Sequence, residues 1–235
     1  MQHSPVIERF VVKVVSGLER DELSARASAN VFWAIASLGE QGGCLQGLIP
    51  PLTQHLAMQS QSMNPQDVAN TIWASATLQL PDKLLRSLLP NPACRVLEQT
   101  SKFNVQHVAN TIWATATLKG RAPELLEIHD VLAEMAAARA EDLNPQALSN
   151  ILWSAATLKT DAPFLLKALP RLTEGILGAR EKYNQHHLGH RHLEGGGACA
   201  ATASPRLPLR GATCGKGLDC TARLQHPVGG CNAAQ

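Results

Sequence analysis

Residues 68–78 read VANTIWASATL, and similar stretches recur at a fixed distance along the chain. The core ANTIWA returns at residues 109–114, and looser copies occupy residues 28–38 and 148–158. Each step is 40 residues, and four Asn and all four Trp of the chain keep it: Asn30, Trp33, Asn70, Trp73, Asn110, Trp113, Asn150 and Trp153. A fixed period without insertions predicts a solenoid of stacked repeats.

The composition agrees with a globular helical array. Hydrophobic residues make up 45% of the 235 residues but aromatic residues only 4%, and much of the apolar content is alanine, which lets helices approach closely. The net charge of +2 permits a nucleic-acid partner without requiring one. No run of 18 apolar residues is present, so we expect no membrane span.

The first 23 residues are predicted to form a partial repeat or a capping helix. Apolar side chains between Ile7 and Leu18 follow the spacing of one helical face. In the 40-residue frame this segment matches the second helix of an incomplete unit. Four full units are expected to follow, at residues 24–63, 64–103, 104–143 and 144–183.

Each unit is predicted to begin with a helix, here called helix A. A residue suited to N-capping precedes it in every unit: Ser24, Asn64, Asn104 and Asn144. The predicted last residues are Leu38, Leu78, Leu118 and Leu158. Gly39 and Gly120 lie near two of these ends, where a left-handed backbone is easiest for glycine.

A second helix, helix B, is predicted after a short turn. Prolines suited to its start are Pro81, Pro123 and Pro163. Further prolines share a later position: Pro50, Pro90 and Pro170. Because an internal proline breaks a helix, we expect a short helical turn, a break and then the main helix in those units. Asp130 replaces proline in the third unit, so residues 124–140 are expected to form one unbroken helix.

Residues 185–235 are predicted to be a disordered tail rich in Gly, Ala and Cys, because they lack periodicity and apolar content for a core. His186 and His190 have a spacing that can chelate a metal on a helix. The Cys spacings match no CxxC pair, so we expect no metal site.

The repeated Trp and Asn residues are interpreted as structural. The Trp side chains, with Ile72, Ala76 and their equivalents, are expected to pack between helices. Asn70 and its equivalents are polar residues within an apolar helix. We expect each to hydrogen-bond a loop or the backbone of a neighbouring unit.

One stripe of helix A differs between units and is the predicted site of RNA contact. Its spacing of i, i+4, i+8 and i+12 lies on one helical face. The candidate residues are Asp67, Thr71, Ser75, Gln79, His107, Thr111, Thr115, Lys119 and Lys159. Short polar side chains suit base edges and lysines suit phosphates. A solvated face that binds no ligand is the alternative that the residues leave open.

The signature Asn-Pro-Gln-x-Val-Ala-Asn-Thr-Ile-Trp-Ala-x-Ala-Thr-Leu resembles the octotricopeptide-repeat proteins and related organellar helical-repeat proteins. These include the Fas-activated serine/threonine kinase-like group and proteins with a RAP domain. The resemblance covers residues 24–184. It implies paired helices in each unit, binding of single-stranded RNA, and a role in RNA processing, stability or translation in a chloroplast or mitochondrion.

The sequence predicts no enzyme and no cofactor. HExxH, GxSxG and kinase motifs are missing from it, and Gly215-Lys216 lacks the spacing of a P-loop. No RAP-type domain is visible, so its proposed nuclease-like activity is not carried over. Acidic residues near the start make the N-terminus a poor transit peptide. A protein-interaction scaffold remains the alternative function.

Overall fold

The computed structural model describes residues 5–175. The helices are α1 (Pro5–Glu19), α2 (Ala25–Leu38), α3 (Ile49–Met58), α4 (Pro65–Thr77), α5 (Asp82–Leu88), α6 (Pro90–Glu98), α7 (Val105–Leu118), α8 (Pro123–Glu127), α9 (His129–Ala138), α10 (Pro145–Leu158) and α11 (163–175). Short 3₁₀ segments are Gly39–Leu48, Ser60–Ser62, Thr100–Lys102, Ala140–Asp142 and Lys159–Asp161. Strands are lacking in this range, and the predicted all-α repeat fold is confirmed. The predicted tail at 185–235 lies outside the described residues.

Helix A of the four units is α2, α4, α7 and α10, and each begins at its predicted cap. Asn64 shows the chemistry: its Oδ1 accepts hydrogen bonds from the backbone N–H of Gln66 at 2.9 Å and of Asp67 at 3.0 Å. Ser24, Asn104 and Asn144 accept in the same way from the residue three positions on. These side chains satisfy backbone donors that the first turn leaves unpaired.

Helix B differs from its prediction in two units. In the third unit the helix is interrupted at Ile128, which separates α8 from α9, although no proline is present there. In the fourth unit α11 continues through Pro170 without a break. The expectation of an unbroken third helix B and a broken fourth one was therefore wrong. The interruption does not require the ring of a proline, and a proline at this position does not enforce it.

The helices form two layers within the array. Successive helices A contact each other, α2 with α4, α4 with α7 and α7 with α10. The helix B segments form the second layer, in which α3 contacts α5 and α6 contacts α8. Within a unit the layers meet where α2 packs on α3, α4 on α6 and α7 on α9. Every interior helix A is therefore enclosed on three sides.

Alanine is frequent among the buried residues of helices A, which contact each other from unit to unit. Ala69, Ala74, Ala109 and Ala114 are examples. A larger side chain would force the helices apart, because packed interiors hold few voids that can absorb extra volume. The low aromatic content of the chain thus follows from the close approach of these helices.

A repeated polar contact links the end of helix B to the residue before the N-cap of helix A in each of the first three units. The backbone oxygen of Met63 accepts hydrogen bonds from Arg95 Nη2 at 3.2 Å and from Gln99 Nε2 at 2.9 Å. One period away, Arg139 donates to the backbone oxygen of Phe103, and His55 Nε2 lies 2.8 Å from that of Leu23. The end of helix B is thereby tied to the start of helix A. Different donors serve the same acceptor position, so the backbone geometry is what repeats.

The N-terminal helix lies in the helix B layer, as the repeat frame predicts. Helix α1 contacts α3 and the 3₁₀ segment before it. Among residues 5–175, no helix combines the length and the apolar character needed to span a membrane.

Candidate functional site

The stripe predicted to contact RNA faces the interior of the array. Asp67, Thr71, Ser75, Thr111 and Thr115 are all buried, and the exposure of Thr71 is 0%. Their side chains do not reach solvent, so the interpretation of this stripe as an open binding face was wrong. We call residues 67, 71 and 75 with their equivalents in the other units the inner stripe.

Three hydroxyl groups of the inner stripe bond to their own helix, whereas Thr71 Oγ1 is buried without a hydrogen-bond partner among the described residues. Thr111 Oγ1 donates to the backbone oxygen of His107 at 2.9 Å, and Thr115 Oγ1 to that of Thr111 at 2.9 Å. Ser75 Oγ donates to the oxygen of Thr71 at 2.8 Å. A hydroxyl bonded to the carbonyl four residues earlier can be buried without a partner from another helix.

The first residues of the stripe complete the N-terminal caps. Asp67 Oδ2 accepts from the backbone N–H of Asn64 at 3.1 Å, and His107 Nδ1 lies 3.4 Å from the backbone nitrogen of Asn104. Both pairs form capping boxes. Burial lowers the pKa of His107, which favours the neutral ring that can accept this bond. These two side chains therefore have structural roles.

The last residues of the predicted stripe are exposed but leave the helix. Gln79, Lys119 and Lys159 follow the end of helix A with φ values of 49°, 24° and 49°. Gly39 has the same position in the first unit, with φ of 54°. A left-handed backbone costs a residue with a side chain more than glycine. Of the nine predicted contact residues, only these three and half-buried His107 keep some exposure.

The opposite side of helix A carries a surface that is nearly identical in every unit. Gln66, Asn70, Trp73 and Thr77 follow the spacing i, i+4, i+7 and i+11, and all four are half-buried or exposed. We call this surface, with its equivalents, the amide–indole face. Its residues in the other units are Arg26, Asn30, Trp33, Ser37, Gln106, Asn110, Trp113, Thr117, Gln146, Asn150, Trp153 and Thr157.

The four indole rings form a continuous ladder along this face. Ring centroids are 6.3 Å apart between Trp33 and Trp73, 6.2 Å between Trp73 and Trp113, and 6.4 Å between Trp113 and Trp153. Neighbouring planes are tilted by 32° to 38°. The two end rings are 44% and 47% exposed, and the middle rings are half-buried. The predicted packing of Trp between helices is confirmed, and each ring also borders solvent.

The Asn side chains do not form the predicted bonds between units. Asn110 Oδ1 accepts from Gln106 Nε2 at 2.8 Å, within its own helix. Among the described residues, no partner bonds the side-chain amides of Asn30, Asn70 or Asn150. Three of the four amides beside the indole ladder are thus available to water or to a ligand.

The amide–indole face carries almost no charge. Arg26 is its one ionisable residue. Residues 5–175 contain 14 Lys and Arg against 16 Asp and Glu, whereas residues 176–235 contain seven against three. The mild basicity of the chain therefore comes from outside the described array. The groups that this face exposes are mainly amides, hydroxyls and indole rings.

Other kinds of site find less support within residues 5–175. No group of three or more His, Cys, Asp or Glu side chains there is arranged to hold a metal. The pocket between α1 and α2 has a volume of about 420 Å³ and is lined mainly by aliphatic atoms, including those of Val14, Leu23 and Val31. It contains no arrangement of nucleophile and base.

Comparisons with protein-family models, with curated proteins and with solved structures found no match for this chain. The fold and the face define its class as an all-helical repeat array with a polar aromatic surface. Sequence reasoning assigned only structural roles to the Trp and Asn residues and so missed this surface. The usable signal was the i, i+4, i+7, i+11 spacing, which joins Gln, Asn, Trp and Thr on one side of the helix.

Proposed function

We propose that the array binds single-stranded RNA along the amide–indole face without catalysing a reaction. The observation that carries this proposal is the repetition of an Asn amide beside an indole ring in all four units, with that amide unpaired among the described residues in three of them. Amides pair with base edges, and aromatic rings stack with bases or support them. RNA is a polymer whose repeating unit presents both a ring and a polar edge. A repeated surface is suited to a ligand of that kind.

The charge distribution defines how such binding would work. Phosphate contacts normally supply much of the affinity for nucleic acids, and the described array has more acidic than basic residues. Contacts at the face would therefore involve mainly bases. Lys119 and Lys159 at the ends of helices A, together with the basic residues beyond residue 175, are the candidates for phosphate contacts.

The family resemblance adds the biological setting to this proposal. Proteins with this repeat signature are expected to act on organellar transcripts, in processing, stability or translation. We carry that role to this chain as a hypothesis, with a chloroplast or mitochondrion as its location. Import of a fluorescent fusion of the complete gene product into an isolated organelle would test the location.

A protein-interaction scaffold is the second candidate, and the acidic balance of the array favours it. Two apolar side chains at the ends of the helix A layer are also exposed, Leu38 at 45% and Leu152 at 39%. A scaffold would bind a protein partner through such surfaces and would show no affinity for RNA. The two functions differ in their response to salt and to substitutions in the face.

Titration of the full chain with a random single-stranded RNA pool tests the proposal. All four Trp lie on the face, so quenching of the intrinsic fluorescence reports occupancy of the proposed site directly. We expect quenching with an affinity that weakens from about 50 to 200 mM salt. The slope of log affinity against log salt should be shallow, at about 0.7 per phosphate contacted. A chain with no affinity at about 50 mM salt would contradict RNA binding.

Paired substitutions locate the site. Replacing Asn70 and Asn150 with alanine removes unpaired amides from the face, and we expect weaker RNA binding with unchanged helicity. Gln46 and Gln54 are exposed amides outside helix A, so the same replacement there is the matched control. Equal binding by both double variants would place the RNA site elsewhere on the chain.

A further inference from the structure

We propose that the amide–indole face selects a run of one nucleotide, adenine, over mixed sequences. This inference rests on the proposed RNA binding and adds the identity of the bases. It follows from the likeness of the units on this face: Asn and Trp occur in all four, Gln in three, and Ser or Thr in all four. Units that offer the same groups recognise the same nucleotide.

The inner-stripe residues that differ between units are unable to add a sequence code. Thr71, Ile151 and Val31 occupy one position of the inner stripe, and the first two have exposures of 0%. The third lies half-buried on the flank of α2. A helical-repeat protein that reads different bases needs different exposed side chains in each unit. Here the variation lies mainly on the buried side of helix A.

The spacing of the ladder determines how a base can lie on the face. Two flat rings that enclose a third must stand about 6.8 Å apart, which is twice the stacking distance of about 3.4 Å. The indole centroids are 6.2–6.4 Å apart and the rings are tilted, so no base fits between neighbours. Bases must instead lie across the open edges of the rings, one for each unit. Full stacking is restricted to Trp33 and Trp153, the exposed end rings, each of which has a single ring neighbour among the described residues.

This placement brings the edge of each base to the amides. In the second and fourth units, Gln66, Asn70, Gln146 and Asn150 have amides without a partner among the described residues. An amide offers a donor beside an acceptor, which pairs in bidentate fashion with the N6 donor and N7 acceptor of adenine. Adenine repeats that pattern with N1 on its Watson–Crick edge, so either edge satisfies the amide. Guanine, cytosine and uracil also offer a donor beside an acceptor on the Watson–Crick edge, but only adenine repeats this pattern on its Hoogsteen edge. Pyrimidines also have a smaller ring to cover the indoles.

The test compares fluorescein-labelled oligonucleotides of about ten residues: oligoadenylate, oligouridylate, oligocytidylate and one mixed sequence. Anisotropy of the full chain at about 50 mM salt should show oligoadenylate binding about tenfold or more tighter than each of the others, because the second edge and the larger ring of adenine add affinity in each of several units. Equal affinities, or tightest binding of the mixed sequence, would overturn the adenine inference and leave RNA binding intact. Lack of binding to every oligonucleotide would contradict RNA binding itself.

A charge-matched pair of variants identifies the amides as the source of selectivity. Asn70→Asp with Asn150→Asp keeps the shape of each side chain but replaces the NH₂ donor with an acceptor. We expect the ratio of adenylate to uridylate affinity to fall towards one. Gln46→Glu with Gln54→Glu adds the same charge away from the face, so it should weaken all oligonucleotides alike and preserve the ratio. A ratio that falls equally in both variants, or in neither, would refute amide readout of adenine.

Discussion

The two sides of helix A use polar residues in opposite ways. On the inner stripe, Thr111 and Thr115 are buried and give their hydrogen bonds to their own helix. On the amide–indole face, Asn70 and Asn150 border solvent with amides unpaired by described residues. Side chains of similar polarity therefore have different roles, and the difference depends on which neighbour a position faces. Polarity alone is a poor guide to exposure when a side chain can bond its own backbone.

The comparison also shows that residues can be the same in every unit without being fully buried. The inner stripe varies because several small side chains fill the same space beside a neighbouring helix. The amide–indole face is uniform although it is only partly buried, and burial alone does not require that uniformity. Packing of the ring ladder accounts for Trp, but it does not account for the unpaired amides. This contrast is the physical basis for placing a ligand on the face.

The largest expected effect comes from placing a charge on each side of α7. Thr111→Lys buries an ammonium group without a partner and should lower the free energy of unfolding by about 3–5 kcal/mol. The adjacent substitution Asn110→Lys places the same group at the solvent border and should cost less than about 1 kcal/mol. Urea denaturation followed by circular dichroism measures both. Similar losses for the two variants would show that the sides are not distinct.

The indole ladder predicts a difference between its middle and its end. Trp113 contacts two rings, whereas Trp153 contacts one among the described residues. Trp113→Ala should therefore destabilise the array by about 1 kcal/mol more than Trp153→Ala, because an aromatic pair contributes about 0.5–1.5 kcal/mol. Thermal unfolding of the two variants checks the order. A greater loss at Trp153 would argue against ring contacts as a source of stability.

The buried ring of His129 in the helix B layer lacks the hydrogen bonds that the buried hydroxyls of Thr111 and Thr115 form. His129 is 1% exposed, and neither ring nitrogen has a hydrogen-bond partner within the described range. Leu89 and Leu169 stand at its position in other units. His129→Leu removes an unpaired polar group and should stabilise the fold by about 1–2 kcal/mol at neutral pH. Urea midpoints of the two proteins measure this difference.

The same variant tests a pH dependence. Burial lowers the pKa of His129 below its ordinary value of 6.5, and the carboxylate of Asp130 offsets part of that shift. The unfolded chain then takes up the proton first as the pH falls. Protonation of this histidine therefore has no effect on the free energy of unfolding above about pH 6.5, and it lowers that free energy progressively as the pH falls below this value. His129→Leu should make the stability fall less steeply between pH 6.5 and 5. Parallel curves for both proteins would contradict a buried neutral His129.

The smallest effect concerns the strained residues after helix A. Lys119→Gly and Lys159→Gly remove a side chain from a left-handed backbone and should each raise stability by about 0.5–1 kcal/mol. The reverse change, Gly39→Lys, should lower stability by a similar amount. The glycine variants also remove two candidate phosphate contacts, so RNA affinity should fall while stability rises. Loss of stability in the glycine variants would contradict the observed backbone conformation.

Much of the local structure could be predicted from residue types. Caps such as Asn64 and helix ends such as Leu118 depend on chemistry within a few residues, and the structure confirms them. Helix B was predicted less well, because the break at Ile128 occurs without a proline and the helix of the fourth unit continues through Pro170. Local proline rules therefore did not locate the interruption.

The site was predicted less well than the fold. The spacing identified which residues share a side of helix A but left open which side meets the next unit. The last described helix A shows the answer: Leu152 and Ala156 are exposed in α10, whereas the equivalent Ile112 and Ala116 are buried. That flank is covered by the following unit. The inner stripe lies on another side of helix A and stays buried even in α10.

The sequence alone established the repeat, its period of 40 residues, the helical class and the start of each helix A, because these depend on composition and short-range hydrogen bonding. The packing of the array determined which side of helix A is buried and which side borders solvent. It buried Thr111 and left Asn110, its neighbour in the chain, at the border with solvent. Such an assignment depends on contacts between helices, and no pattern within a single helix contains them.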